Sequence, residues 1–504
     1  MLNNNQYLYV AIFFLFIFKF IFLQFDYIAR YSPVDDNLFV GNAYLLINNS
    51  NEYFPLTLSK LPSFSYLLYL LNKFSISYFL FLNFSLFFLS VAWIKSKYNN
   101  LNTIENIGIL FLINLNPVIF STDWNVLMRE PVLAISTILL IFVGFSHEKK
   151  YTKTFLIIFY PLLIFMFFLR EEILFIYSLI VTLLLIFNSK FNIFYLTKFL
   201  IVPLLLFSFV FTFLSFNNQK KYDVAIVNDF IQGEFPIMLQ NIVDINDNKP
   251  IQINIPITTN KIKLLYDISP TAKKVYSILP NVGVGTASCV DHNICNEMSL
   301  GYIVWWLKTN PYEFGFVDNH QSEQLLYKKI SEEIVYACNN SSLDCSSKRL
   351  NVDFIFIKYF YDLYDLILNF FIYPVKFDDS LLRNYDSYIY SETLKNNIFY
   401  TSASFFNDWR YFLGKIYPIY SLILMFMFTF SLFGSFYYHY VKKKYVSSYS
   451  LSFNFFIISY LMILGGFSIF AGPFDARMIL SLNIFISFFV YQSFKEILIR
   501  FFSK

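Results

Sequence analysis

The chain has 504 residues, of which 57% are hydrophobic and 14% are charged. Soluble domains carry about 25% charged residues, so this composition argues against an ordinary soluble protein and indicates an integral membrane protein. The net charge of +4 is small and no polybasic run accompanies it, so nucleic acid is not an expected partner.

Apolar runs long enough to cross a bilayer recur along the chain. The first run, 7–25, is longer than the apolar core of a secretory signal, and no small-residue cleavage site follows it, so we predict that it is retained as a span. A helix needs about 20 apolar residues to cross the hydrocarbon core. The predicted spans, about ten in all, are 7–25, 75–94, 104–120, 131–146, 154–169, 172–188, 199–216, 414–438, 452–471 and 477–494.

The short basic loops set the orientation of these spans, because lysine-rich and arginine-rich loops remain cytoplasmic. With the N-terminus inside, every such loop falls on the cytoplasmic side. We therefore predict an α-helical polytopic protein of a bacterial inner (cytoplasmic) membrane. Its predicted parts are a module at 1–216 of about seven spans with a first outer loop at 26–74, an extracytoplasmic domain at 217–413, and a module at 414–504 of about three spans.

Two further apolar segments do not qualify as spans. Segment 63–72 is too short to cross a bilayer, and we expect it to form a helix that lies at the outer interface. Segment 354–373 is interrupted by Lys358, Asp362 and Asp365. We expect it to form an amphipathic helix on the membrane surface or on the extracytoplasmic domain.

All four cysteines lie in the predicted extracytoplasmic domain. This clustering is typical of a protein in an oxidising compartment. Four cysteines allow three disulfide pairings, and the short loops favour Cys289–Cys295 with Cys338–Cys345. A zinc site with four thiolate ligands is the alternative, although the cysteine spacings are wider than those of most such sites.

Acidic residues and arginines collect at the outer ends of the predicted spans. They are Asp35, Asp36 and Lys60 in the first outer loop, Arg129 and Glu130 after the third span, Arg170 and Glu171 after the fifth, and Arg477 after the ninth. Basic residues do not gather at the outer face by default. The pattern therefore predicts that four loops build one charged cavity at membrane level.

Such a cavity suits the transfer of a sugar from a polyprenyl phosphate donor. The lipid tail stays in the bilayer, while cationic side chains bind the phosphate at the interface and stabilise it as a leaving group. A carboxylate can take the proton of the acceptor hydroxyl. The expected catalytic residues are Asp35 or Asp36 with Glu130 in reserve, and the expected phosphate or donor ligands are Lys60, Arg129, Arg170, Glu171 and Arg477.

The sequence requires no cofactor, but adjacent carboxylates repel each other and attract a divalent cation. If a cation is used, Asp35 and Asp36 are the expected ligands for Mg²⁺ or Mn²⁺. Structural interpretations of the same groups remain open. The acidic pair could cap a helix beginning at Leu38, Arg170 could serve a tight turn, and Arg129 could open a helix just before Pro131. His320 is expected to be an ordinary surface or core residue.

The order of these motifs resembles that of a known superfamily. A first span, paired acids at 34–39 (VDDNLF) and the stretch 56–62 (LTLSKLP) resemble the GT-C superfamily of membrane glycosyltransferases. The chain is more closely similar to a group of bacterial membrane glycosyltransferases. The motifs that carry this similarity are 116–118 (NPV), 129–130 (RE), 170–172 (REE) and 333–338 (EIVYAC). In that group a glycine follows the lysine of the 56–62 stretch, whereas here Leu61 follows Lys60.

The resemblance implies a GT-C-like fold and an inverting transfer on the outer face, with an envelope glycan, lipid or protein as acceptor. One alternative is a non-catalytic or transport role. Transporters carry polar residues near the midplane and internal repeats, whereas these charges lie at span ends. Another alternative is an O-antigen polymerase or ligase, which the early acidic pair at Asp35 and Asp36 disfavours.

Overall fold

The computed structural model describes residues 4–25, 35–48, 53, 56–76, 78–94, 102–116, 119, 129–146, 153, 155–170, 173–174, 177, 181, 196–247, 257–276, 297, 300–340, 342–345, 407–437, 490–491, 493–499 and 501–502. Within these ranges every regular element is a helix. The predicted α-helical class is therefore confirmed.

The helices differ in length, from 6 residues in the shortest to 30 in the longest of the described ranges. In chain order they are α1 (Asn4–Phe25), α2 (Asp35–Ile47), α3 (Ser63–Lys73), α4 (Tyr78–Ile94), α5 (Thr103–Asn114), α6 (Arg129–Ser146), α7 (Tyr160–Phe167), α8 (Val202–Tyr222), α9 (Glu234–Asp244), α10 (Thr259–Ile268), α11 (Pro270–Val275), α12 (Leu300–Glu313), α13 (His320–Asn339) and α14 (Asn407–Phe436). Short π-helical turns, Phe155–Phe159 and Thr197–Ile201, lead directly into α7 and α8.

The N-terminal helices and α14 share one hydrophobic core. Edge-to-face aromatic pairs connect three of the helices: the Phe39 ring centre lies 5.0 Å from that of Phe64, which lies 5.8 Å from that of Tyr78. Each such pair contributes about 0.5–1.5 kcal/mol beyond the burial of its area. These contacts hold α2 against α3 and thereby place the turn segment 56–62 that joins them.

A second core holds together α9 to α13, which belong to the predicted extracytoplasmic domain and are called the outer helices below. Phe235 of α9 packs on Tyr327 of α13, with ring centres 5.0 Å apart. The end of α13 is closed by the predicted Cys338–Cys345 disulfide, which is present. The other predicted pair, Cys289–Cys295, lies outside the described residues.

Only part of the predicted membrane topology falls on these residues. In the described ranges, one helix, Thr197–Tyr222, is long and apolar enough to cross a membrane by length and composition. It exceeds the predicted span 199–216 at both ends. The predicted span 104–120 is too long, because α5 ends at Asn114. Asn116 precedes a proline, a position where the helical conformation is disfavoured.

The predicted helix at 63–72 is confirmed as α3. It buries Phe64 and Leu68 and exposes Tyr66 and Leu70, so it is amphipathic. Its place at a membrane interface remains a prediction. The segment 354–373 lies outside the described residues.

Candidate functional site

The acidic pair opens α2. The helix begins at Asp35, three residues before Leu38, where the capping interpretation placed its start, so both acids lie in its first turn. The helix dipole favours negative charge there. Asp35 shares a helix face with Phe39, four residues on. The Phe39 ring centre lies 5.6 Å from the guanidinium carbon of Arg129, so α2 contacts the start of α6 through Phe39.

Glu130 connects two arginines from separate predicted outer loops. The Arg170 Nη1 group donates to Glu130 Oε1 at 3.3 Å, and Arg129 Nε lies 3.8 Å from the same oxygen. Arg129 Nη1 also donates to the Leu169 carbonyl at 3.0 Å. Arg129 is 8% exposed, and Glu130 and Arg170 are each 4% exposed, so these three residues form a buried ionic group.

The structure thus brings three of the predicted site residues together at the start of α6. Arg129 opens that helix and Pro131 follows in its first turn, as the helix-start interpretation expects. Glu171 and Arg477 lie outside the described residues, as do the side chains of Asp35 and Asp36. Their predicted roles therefore remain predictions.

A pocket of about 70 Å³ lies between α2, the turn segment 56–62, α3 and the end of α8. A water molecule needs roughly 10–15 Å³ of such space, so the pocket can hold several waters or a small polar group. Its lining residues are Asn42, Leu45, Leu46, Thr57, Leu58, Lys60, Pro62, Ser65, Tyr66, Leu214, Asn218, Lys221, Tyr222 and Val227.

The lining of this pocket is suited to an anion. It contains two lysines, Lys60 and Lys221, and no carboxylate stands among the described residues that line it. The hydroxyl oxygens of Thr57 and Ser65 are buried, and neither has a hydrogen-bond partner in the part of the chain that the structure describes. A buried polar group left unsatisfied costs about 1–3 kcal/mol. Both hydroxyls can donate to the oxygens of a bound anion.

Asn42 adds a hydrogen-bond acceptor to the lining of the pocket. Its Nδ2 donates to the Thr57 carbonyl at 3.1 Å. Its Oδ1 is buried and meets no partner among the described residues. An amide oxygen accepts hydrogen bonds, so it can bind a hydroxyl of the ligand. The pocket therefore offers cations and donors for an anionic group, with one acceptor for a neighbouring hydroxyl.

Each lysine of the pocket lies next to a group that attracts a positive charge. Lys60 Nζ lies 5.2 Å from the centre of the Trp305 ring, in a cation–π contact. Lys221 stands in the last turn of α8, where the helix dipole favours a positive charge. The helix stops at Asp223, which adopts the left-handed conformation at φ 58°. Aspartate tolerates this conformation better than most residues.

A second ionic group lies in the outer helices. Lys308 of α12 pairs with Asp229 and with Glu323, the latter at 2.7 Å. His320 Nδ1 lies 3.5 Å from Glu323 Oε2, and Tyr327 donates to Glu323 Oε1 at 2.8 Å. Asp229, Lys308 and Glu323 are 0% exposed and His320 is 3% exposed. These four residues are called the Lys308 cluster below.

The two carboxyl groups of the Lys308 cluster have opposite pKa shifts. Burial raises the pKa of Asp229 and outweighs the attraction of Lys308. Burial also acts to raise the pKa of Glu323, but Lys308, His320 and Tyr327 together lower it. Burial acts to lower the pKa of Lys308, and the two carboxylates raise it on balance. Lys308 therefore lies between two carboxyl groups whose pKa values are shifted in opposite directions.

Sequence reasoning identified Lys60 but not the rest of the pocket. Lys221 ends an apolar run, and a lysine there reads as a membrane-end residue. Asn42, Thr57 and Ser65 belong to common residue types without a recognisable spacing. In the Lys308 cluster, His320 is buried, and a core position was one of the two positions expected for it.

The described residues contain no group of three or more side chains arranged to bind a metal. Comparison with models of known protein families, with curated proteins and with solved structures finds no match. A functional proposal for this chain therefore depends on its own geometry and on the motifs of its sequence.

Proposed function

We propose that the protein is a polytopic membrane glycosyltransferase of the GT-C type. It transfers a sugar from a polyprenyl-phosphate donor to an envelope glycan, lipid or protein on the outer face, with inversion. One observation carries the proposal: the pocket that holds Lys60 and Lys221 opens at the polar end of an exposed apolar helix. A polyprenyl phosphate has the same division between a charged head and an apolar tail.

Helix α8 provides an apolar surface for the lipid tail and a polar end for the phosphate. Along its length it exposes large apolar side chains, among them Leu205, Phe209 and Phe213. At its C-terminal end, Asn218 and Lys221 line the pocket instead. Each methylene of a lipid chain that leaves water contributes about 0.8 kcal/mol, so a tail along α8 would retain the donor while its phosphate enters the pocket.

In the proposed reaction, the oxygen of the acceptor hydroxyl attacks the anomeric carbon of the donor sugar. The bond between that carbon and the phosphate oxygen breaks, and polyprenyl phosphate leaves with the bonding electrons. Lys60 and Lys221 stabilise the charge of the phosphate. Asp35 or Asp36 takes the proton of the acceptor. If a divalent cation binds, the same two residues would hold it, and it would supply activation of the hydroxyl. The group of Arg129, Glu130 and Arg170 supports α2 behind the pair.

Binding of a short donor analogue tests this proposal. The purified full-length chain is expected to bind farnesyl phosphate more tightly than farnesol, which lacks the phosphate. Lys60→Met and Lys221→Met should each weaken binding of farnesyl phosphate about tenfold or more, since a hydrogen bond to a charged group contributes about 1.5–3 kcal/mol. Calorimetric titration in detergent measures the affinities.

The control for these variants is Lys220→Met. Lys220 is the neighbour of Lys221 on α8, but it does not line the pocket, and its Nζ lies 4.4 Å from the Phe216 ring centre. This variant should bind farnesyl phosphate as the wild-type chain does. Equal affinity of the wild-type chain for farnesyl phosphate and farnesol would contradict the proposed donor.

The proposed topology makes a separate prediction. Because every short basic loop falls on one side, residue 300 should be extracytoplasmic and both termini should be cytoplasmic. Alkaline phosphatase fused after residue 300 should be active, and green fluorescent protein at the C-terminus should fluoresce. Phosphatase activity from a C-terminal fusion would exclude the ten-span arrangement.

A further inference from the structure

The outer helices meet the pocket at three points. The Asp229 amide donates to the carbonyl of Leu58 at 2.9 Å. The His320 ring packs edge-on against Tyr222, with ring centres 5.0 Å apart. Trp305 lies under the Lys60 ammonium at 5.2 Å. Leu58, Tyr222 and Lys60 all line the pocket, so the outer helices contact three of its walls.

The Trp305 contact is held in place from both sides. Trp305 and Lys308 lie three residues apart on α12, and side chains at this spacing share a helix face. The Lys308 cluster fixes this part of α12 through Asp229 and Glu323. On the other side, the Phe230 ring packs edge-on against Trp305, with centres 4.9 Å apart. The indole ring therefore has a fixed orientation beneath Lys60.

We infer that Trp305 is a positioning residue that holds the Lys60 ammonium ready for a phosphate group in the pocket; this inference rests on the proposed function. A lysine side chain has a flexible four-carbon stem, and ordering it reduces the affinity for a ligand. An indole face attracts an ammonium ion without neutralising its charge. Lys60 is thus ordered before the ligand arrives and keeps its positive charge.

The inference connects two regions that are far apart in sequence. The ammonium belongs to the turn after α2, whereas the ring that orders it belongs to α12 in the predicted extracytoplasmic domain. Anything that displaces α12, such as the binding of an acceptor to the outer helices, would break the contact between Trp305 and Lys60. The outer domain would then influence donor affinity without touching the donor.

A double-mutant cycle tests the positioning role through the affinity for farnesyl phosphate. Trp305→Leu should weaken binding roughly 3- to 30-fold, the range expected for losing a cation–π contact. Trp305→Phe should recover part of the loss, because a phenyl ring still attracts a cation. In a Lys60→Met background, Trp305→Leu should have no further effect. An equal loss in both backgrounds would show a merely structural role and overturn the inference.

The matched control is Trp306→Leu. Trp306 packs on Tyr276, with ring centres 5.2 Å apart, and belongs to the outer core. Its substitution removes a comparable aromatic ring without removing the ring under Lys60. Binding of farnesyl phosphate by this variant should stay within about twofold of wild type, a difference of about 0.4 kcal/mol. A loss equal to that of Trp305→Leu would also overturn the inference.

A second measurement separates this inference from the proposed function. Reductive methylation with ¹³C-formaldehyde labels lysine ammonium groups for NMR, and an aromatic ring beneath Lys60 should shift its methyl resonance upfield. Trp305→Leu should abolish that shift, and an unchanged resonance would refute the contact. If the shift is present but the wild-type chain binds farnesyl phosphate and farnesol equally, the proposed function and the ligand role of Lys60 both fail while the contact stands.

Discussion

Asparagine in place of Asp35 or of Asp36 is expected to reduce sugar transfer about 100-fold or more in at least one of the two variants, the scale of losing a general base. An ordinary aspartate has a pKa of about 3.9, so it is ionised but weakly basic at neutral pH. The adjacent acid can raise that pKa, or a bound cation can activate the acceptor hydroxyl. Asparagine keeps the shape of the side chain and removes both functions.

The measurement is the release of polyprenyl phosphate from endogenous lipid-linked sugars in isolated membranes, followed by mass spectrometry. Expression and membrane insertion should be unchanged, because asparagine is also accepted at the start of a helix. Asp223→Asn is the control, since Asp223 is an exposed acid at the end of α8 and asparagine tolerates its left-handed conformation. Full activity in both test variants would show that the pair forms only the first turn of α2 and has no catalytic role.

Replacing Glu323 with glutamine or Lys308 with methionine should lower the free energy of local unfolding of the outer helices by about 3–5 kcal/mol, because each change leaves a buried charge without its partner. Asp229→Asn should be tolerated better, since burial raises the pKa of Asp229 and so favours its neutral form, which asparagine resembles. Hydrogen exchange of the α13 amides in the full-length protein reports this free energy. Equal destabilisation by Asp229→Asn and Glu323→Gln would contradict the opposite pKa shifts assigned to the two carboxyl groups.

The same assignment fixes the direction of the pH dependence. The pKa of Asp229 is raised by burial, so its neutral form is favoured in the folded chain. Stability should therefore fall as pH rises from the unfolded value of about 3.9 to the raised pKa of Asp229. Glu323 has a lowered pKa and acts in the opposite sense, losing its contribution as pH falls through that value.

Asp229→Asn should remove the decline in stability on the alkaline side of the unfolded aspartate pKa, and it should leave the acid-side loss due to Glu323 in place. Hydrogen exchange rates must be corrected for their intrinsic dependence on pH before the comparison. A wild-type chain whose outer helices gain stability over the same rise in pH would contradict the raised pKa.

The helices were predictable where hydrophobicity alone determines them. The run that became α3 begins after Pro62 and is apolar but too short to span a bilayer, so composition and length identified it. At α5 the apolar run continues past Asn114, and composition could not show that the helix ends there. The capping interpretation placed the start of α2 at Leu38 rather than at Asp35, because a capping acid and a first-turn acid have the same sequence signature.

The site was predictable only where unusual residues mark it. Arginines at outer span ends are rare enough to stand out, and Arg129 and Arg170 do meet at Glu130. The pocket depends instead on tertiary contacts that bring Asn42 beside Thr57 and Lys60 over Trp305. Neither pair has a sequence spacing that indicates a contact, so pattern reasoning could not find them.

The length of the helical segment Thr197–Tyr222 has a consequence for the choice of membrane. Its 26 residues extend about 39 Å at about 1.5 Å per residue, so in the proposed span the polar end of the helix reaches beyond a hydrocarbon layer of about 30 Å. A bilayer of different thickness is accommodated by tilting of the helix or by local stretching of the lipids. Lys221 lies at the C-terminal end of this segment. Acyl-chain length in reconstituted vesicles should therefore set the depth of the pocket relative to the lipid headgroups, and donor turnover should depend on it.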